Sequence, residues 1–459
     1  MKKNDLIENI LKEFRKIGDG IKERTEESVI RIQVNCKKTD ILDWLALQKG
    51  SRKIYWADRD KCCEVGGIGT AHRIFGKDID DFSNLFKRLD SFLSNSDRHL
   101  RYYGGIRFNY RVDADDIWKN FHTFDFVIPE FELLRVSDNY YFAANVLLKN
   151  GERTAQKIDV LKSKLEKLIL TPHALEINFP KLQKRSDLPD WNQWSAGIEQ
   201  AYKMFNNAEL DKIVLARKTV LSFNDKLNNI QIMKRLKESN PNAFHFCFQQ
   251  NDDVSFVGAT PERLYKRDKR QVFTEAIAGT RPRGKTEEHD AFLKEDLLTC
   301  EKDLREHRYV VDRIKNVLNE TCENIISDDK VKIIENAHVQ HLCYKMQGEL
   351  KEGITDAQLL RNIHPTPAVG GYPSEIALRK IDEMEGFDRG WYAGPVGWVN
   401  HSAAEFAVAL RSGLIYNNKL ALFAGAGIVD GSNAADEWDE IDNKISNFMQ
   451  ILKSRSDAE

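Results

Sequence analysis

Near the N-terminus, apolar residues recur at helical spacing. Ile7, Ile10, Leu11, Phe14 and Ile17 share one face and predict an amphipathic helix. The period then shortens: "RKIYWADRD" and "GIRFNYRV", broken by glycine pairs, read as strand pieces, and "AQKIDVLKSKLEKLIL" reads as a second helix. The following stretch, "TPHALEINFPKLQKRSDLPDW", is rich in proline and polar residues and reads as a boundary. It separates an N-terminal region, 1–185, expected to add strands and helices to the same body, from a second region, 186–459. Asp190 is the expected N-cap of a helix running to about Leu210. From Lys212 onward, short strands rich in valine and isoleucine ("KIVLARKTVL", "VSFVGAT", "FAVALRSGLIY", "LALFAGAGIV") alternate with helices. One of these helices, free of glycine and proline, is predicted from about Glu287 to Asn319. This mixed order predicts an α+β fold in place of regular βαβ winding.

Composition narrows the function classes. The chain has 459 residues and a formal net charge of −2. Near neutrality removes the general electrostatic case for nucleic acid or an anionic membrane as partner. The charged start "MKKNDLIENILKEF" lacks the apolar core of a signal peptide, and no apolar run is long enough to span a bilayer. The seven cysteines, including adjacent Cys62 and Cys63, match no zinc spacing, so reduced thiols in a cytoplasm are expected.

The candidate chemistry is distributed along the second region. In "DKIVLARKTVL", Lys212 opens a strand on the face of Val214 and Ala216; an internal face would desolvate the ammonium and leave a usable base. A strand-end lysine reaching for water is the commoner case. In "VSFVGATPERL", a strand broken at Gly258 and Pro261 delivers Glu262, a general acid if its surroundings keep it protonated and otherwise a solvated loop glutamate. "TEAIAGTRPRG" ends a strand at Ala278-Gly279-Thr280, where backbone approaches closely and donors are exposed; the alternative is that Arg281 and Arg283 simply dress a surface turn. "EKDLREH" places Asp303 and Glu306 three apart on one helix face, and Glu437 and Glu440 repeat that spacing. Two such pairs suit a hard ion such as Mg²⁺, although acidic residues also commonly cap or solvate a helix. The stretch "GAGIVDGSNAADEWDEIDNK", residues 425 to 444, opens like an anion-binding glycine loop and then brings Asp436, Glu437, Glu440 and Lys444.

Taken together, "KIVLAR", "GATPERL", "AIAGTRPRG", "EKDLREH", "HPTPAVGGYP", "RGWYAGPVGW", "VALRSG" and "FAGAGIVDGSNAADEWDEIDNK" resemble the chorismate-utilising enzymes, and within them the isochorismate synthases. The resemblance runs in order across 190 to 452. "KIYWADRD" and "RYYGGIRFN" extend it less distinctively, and the "YWADRD" region looks more like the menaquinone-type than the siderophore-type enzymes. It implies antiparallel sheets packed together with helices outside, and a Mg²⁺-dependent isomerase acting on the small molecule chorismate without an obligatory protein partner. Residue by residue, it implies Lys212 as the base activating water for attack at C2, and Glu262 as the acid protonating the departing C4 hydroxyl. It implies Glu306 and Glu440 on the metal, with Glu437 and Asp303 close by. Gly425 and Ala426 would donate backbone N–H groups to the ring carboxylate near Lys444. Arg411 and Tyr392 would bind the enolpyruvyl carboxylate, with Gly279, Thr280, His341 and Ala368 lining the ring.

Three positions separate the relatives. Those that add ammonia at C2 usually carry glutamine in place of Lys212; those that aminate C4 carry lysine in place of Ala278; those that eliminate pyruvate tend to carry threonine in place of Ala368. All three point to isochorismate as product. The alternatives are a salicylate synthase and a non-catalytic chorismate-binding regulator.

Overall fold

Branching at Cβ favours extended backbone, and the valine- and isoleucine-rich runs form the strands Lys212–Phe223, Val254–Thr260, Ser412–Tyr416 and Lys419–Val429. The computed structural model describes residues 3–19, 27–49, 52–77, 82–93, 99–109, 115–170, 174–335 and 339–452. Among these residues the strands form two antiparallel sheets, of twelve and ten strands. The four strands just named are neighbours in the larger sheet, in the order Val254–Thr260, Ser412–Tyr416, Lys419–Val429, Lys212–Phe223. The smaller sheet pairs Gln271–Pro282 with Val339–Leu350. Helix Glu301–Thr321 packs on the Gln271 strand and helix Ala434–Ile451 on the Lys419 strand. This is the α+β arrangement of antiparallel sheets clothed by helices.

The N-terminal residues are hydrogen-bonded into both sheets. Strand Lys53–Ala57 pairs with Phe244–Asn251 in the larger, and Tyr102–Ile106 pairs with Pro395–Val399 in the smaller. Helix Lys3–Asp19 buries Ile7, Ile10, Leu11 and Phe14 and lies against helix Thr154–Lys167. The last three residues of "GIRFNYRV", 110–112, lie outside the described residues. Among the described residues no helix is long and apolar enough to cross a membrane. All seven cysteines are free thiols.

Several local expectations need correction. The predicted boundary contains a strand, Leu182–Leu188, paired with the Lys212 strand. The helix capped by Asp190, whose carboxylate accepts from the Gln193 N–H, ends at Asn206 and does not reach Leu210. The single helix expected from Glu287 is two, Glu287–Thr299 and Glu301–Thr321, parted at extended Cys300. One guanidinium spans the break: Arg281 binds Asp296 before it at 2.6 Å and Asp303 after it at 2.8 Å. Gly258 does not break its strand, which runs to Thr260; an added Cβ there would come within 2.3 Å of the Phe246 ring.

Candidate active site

The site begins as a step in the larger sheet. The short Ser412 strand starts opposite Gly258 on one side and Phe423 on the other. Beyond it the Lys419–Val429 strand continues with the Lys212 strand as its one neighbour, leaving a notch floored by Arg411. Glu262 lies just past the end of the strand on one wall; Gly425 to Val429 and then Lys212 form the other. The two strands bounding the notch, Val254–Thr260 and Lys419–Val429, are two strand spacings apart, roughly 10 Å between axes. A six-membered ring with its substituents fits between side chains reaching in from both.

Register decides which backbone groups face this notch. Ala216 lies opposite Gly425 and Val214 opposite Gly427. The Ala216 N–H donates to Glu385 and the Val214 N–H to the Gly370 carbonyl, so neither bonds to the glycines. Antiparallel alternation then turns the Gly425 and Gly427 N–H groups toward the notch and the Ala426 N–H into the ladder opposite Leu215. The apparent glycine loop is therefore an open-edged strand. Gly427, which the sequence reading passed over, takes the donor place expected of Ala426. A Cβ at 427 would lie 2.7 Å from Glu306 Oε1 and 3.1 Å from Lys212 Cε, so a side chain there would displace the Glu306 carboxylate.

Lys212 is wholly buried, and its Nζ lies 2.7 Å from Glu306 Oε1. The inward face shared with Val214 and Ala216 is as expected, and the amine on it stands against a carboxylate. The pattern repeats twice: Lys302 binds Glu437 at 2.9 Å and Lys444 binds Glu440 at 2.6 Å, so three glutamates answer three lysines. Although burial works against its charge, Lys302 gains proton affinity from Glu437, with Glu306 and Glu440 also acting on it. Lys444, then Lys302 and Lys212, hold Glu440 below the usual carboxylate range. Burial pushes Glu437 up. Asp303 stands apart, because Arg281 holds it. Among the described residues no three acidic, imidazole or thiol groups are gathered closely enough to ligate one ion. The chemistry of the three glutamates nevertheless suits a hard divalent cation, which would take over the counter-charge role the lysines now fill.

Glu262 is 6% exposed. Its N–H donates to Thr260 Oγ1 at 3.3 Å and its carbonyl accepts from the Val408 N–H at 3.1 Å. Burial first, and then the neighbouring Glu275 carboxylate, push its carboxyl up to about 8, against Lys212 and Lys444. It therefore holds its proton at neutral pH, the state a general acid needs.

The remaining wall joins the two sheets. Gly279 makes a bulge at φ 67° that sets Thr280 opposite His341. His341 Nδ1 lies 3.1 Å from the Gly279 carbonyl and 3.0 Å from Thr280 Oγ1, and Nε2 lies 3.4 Å from an Arg411 nitrogen. Burial and the Arg411 charge depress this imidazole to about 3, so it is neutral. The carbonyl assigns the proton to Nδ1, leaving Nε2 to accept from Arg411. Among the described residues no carboxylate pairs with Arg411, and burial lowers its guanidinium to about 10. Tyr392 is buried and stacked on Phe423, its hydroxyl near the Gly425 Cα. Ala368 sits in a loop fastened to the Lys212 strand: Gly370 accepts from Val214, and Gly371–Tyr372 pairs with Lys212 and Ile213.

Comparison with known proteins gives the family. A family profile described as "Chorismate binding enzyme" matches residues 12–453. The chain belongs to the chorismate-binding enzymes. Among members of that family it is 32% identical to the chloroplastic isochorismate synthase of Catharanthus roseus, over 88% of this chain and 70% of that one. It is 30% identical to isochorismate synthase MenF of Bacillus subtilis, over 87% and 88% respectively. The structure of MenF, the menaquinone-specific isochorismate synthase from Escherichia coli, superposes with a TM-score of 0.86 at 27% identity, covering 98% of this chain and 99% of that chain. The chorismate-binding fold thus extends through the N-terminal region as well as the notch.

Proposed function

We propose that the chain is an isochorismate synthase, converting chorismate to isochorismate by attack of water at C2 and loss of the C4 hydroxyl. The observation that carries this reading is the pairing across one notch of a buried lysine, Lys212, with a buried glutamate, Glu262, that keeps its proton. Water is a poor nucleophile and hydroxide a poor leaving group, so both ends of the displacement need proton transfer. Lys212 takes a proton from water as the new C2–O bond forms. The ring double bonds shift, and the C4–O bond breaks as Glu262 protonates the departing oxygen. The water consumed and the water released balance.

The other residues bind and orient. Arg411, which lacks a carboxylate partner among the described residues, receives the enolpyruvyl carboxylate together with the buried Tyr392. Gly425 and Gly427 present N–H groups to the ring carboxylate, and Thr280 and His341 line the ring. Glu306, Glu440 and Glu437 would hold Mg²⁺. When bound, the ion supplies positive charge against the ring carboxylate. Similarity to the menaquinone-specific enzyme over nearly the whole chain supports the same pathway here, and the free thiols are consistent with a cytoplasmic location. Chromatography of the products formed from chorismate and Mg²⁺ tests the reading. Isochorismate is expected; salicylate with pyruvate would identify a salicylate synthase, and no turnover a regulator.

A further inference from the structure

The acid Glu262 is held by a residue from the far end of the sequence. In "YWADRD", the turn after strand Lys53–Ala57 is closed by Asp58, whose N–H donates to the Cys63 carbonyl at 3.0 Å and whose carboxylate accepts from the Cys62 N–H at 2.8 Å. That turn projects Arg59 across the molecule. One Arg59 nitrogen donates to the Pro261 carbonyl at 2.6 Å and to Glu275 Oε1 at 2.6 Å; the other donates to Glu275 Oε2 at 3.0 Å. Glu275 also accepts from the Arg263 N–H at 3.4 Å. The backbone on both sides of Glu262 is thus gripped by a single bidentate pair, in which Arg59 is 9% and Glu275 3% exposed.

We infer that Arg59 is a positioning residue for the reaction, fixing the backbone at Glu262 and neutralising Glu275 beside the Glu262 carboxyl. This rests on the reading of Glu262 as the general acid. The charged and titratable groups around that carboxyl are Glu275 from the Gln271–Pro282 strand, Lys212, Lys444 from the C-terminal helix, and the Tyr392 phenol. Glu275 is the one that disfavours ionisation of Glu262, and Arg59 is its bidentate counter-charge. A buried carboxylate stripped of its cation exerts its full field on a neighbour through a medium of low dielectric. Arg59 therefore sets how far the acid is pushed as well as where it points. This gives the N-terminal "YWADRD" segment a part in catalysis although it lies outside the notch.

The test is the pH dependence of kcat/KM on chorismate for the full-length chain and for R59Q, E275Q, R59Q/E275Q and E262Q, with thermal melting of each. In R59Q the alkaline limb is expected to move up by about one pH unit, with kcat lower by about tenfold as the acid loses its alignment. In E275Q, which removes the like charge, the limb is expected to move down, and in the double variant, which removes both charges, to lie between E275Q and the unaltered chain. A limb unmoved in both R59Q and E275Q would overturn the inference, whatever happened to kcat, because a purely structural clamp has no reason to shift it. If R59Q fails to fold, E275Q decides alone by the same criterion. E262Q separates the two claims. Near wild-type turnover in E262Q defeats the assignment of the acid, whereas an inactive E262Q alongside unmoved limbs defeats only the role of Arg59.

Discussion

Lys212 Nζ lies 2.7 Å from Glu306 Oε1, the lysine wholly buried and the glutamate side chain 19% exposed. This pairing joins the proposed base to the proposed metal carboxylates, and the Gly427 backbone leaves just enough room for it. A carboxylate so placed can accept charge from Lys212 or from a cation, but full pairing with both at once is redundant. Metal binding and release of the amine are therefore expected to be coupled.

Replacing Lys212 by alanine is expected to lower kcat by roughly 10²–10⁴-fold, the usual range for loss of a general base. Chorismate affinity, measured by calorimetry, should change far less, since the carboxylate-binding groups are elsewhere. Near wild-type turnover in this variant would remove Lys212 from the mechanism.

Glu262 sets an alkaline limb. Its carboxyl, raised to about 8 chiefly by burial, is protonated below that pH and loses its proton above it. The acid works only when protonated, so kcat/KM should fall as pH rises through about 8. Glu262→Gln should abolish most turnover and, in whatever activity remains, erase this limb. A limb that persists unchanged would assign it to another group.

Chelation of divalent ions should abolish turnover and added Mg²⁺ should restore it, while Zn²⁺, which favours nitrogen and sulfur ligands, should not. Mg²⁺ titration should show weaker binding in Glu440→Gln than in the unaltered chain. Undiminished activity after thorough chelation would rule out the ion.

Arg411 is a half-buried cation whose one polar side-chain neighbour among the described residues is the neutral His341. Burying an uncompensated charge opposes folding, so Arg411→Met should raise the melting temperature while raising KM for chorismate at least tenfold. Lysine should not rescue KM, because it lacks the planar fork that meets a carboxylate with two hydrogen bonds. A lower melting temperature with unchanged KM would show a structural role only.

What the sequence made legible was local. The alternation of Lys212, Val214 and Ala216, the Asp190 cap and the helical stripe from Ile7 to Phe14 each depend on a short period or a single neighbour, and each is where the pattern places it. What escaped was set at long range. The break at Cys300 is spanned by Arg281, some twenty residues away in sequence. Gly425 and Gly427 look like a loop because glycines expose donors, yet they expose them from a strand whose neighbour, starting at Ser412, stops short. Asp303 shares a helix face with Glu306 but answers Arg281 and not the other glutamates. The motif resemblance named the candidate site residues; the register of the sheet, which no single stretch encodes, distinguishes Gly427 from Ala426.

The most direct measurement is chorismate turnover in ¹⁸O-labelled water, sampled early and resolved by chromatography with mass detection. The expected product is isochorismate carrying one solvent-derived oxygen, at C2, with the original C4 oxygen released as unlabelled water. Isochorismate without label would contradict water attack activated by Lys212, and a product other than isochorismate would contradict the proposed function.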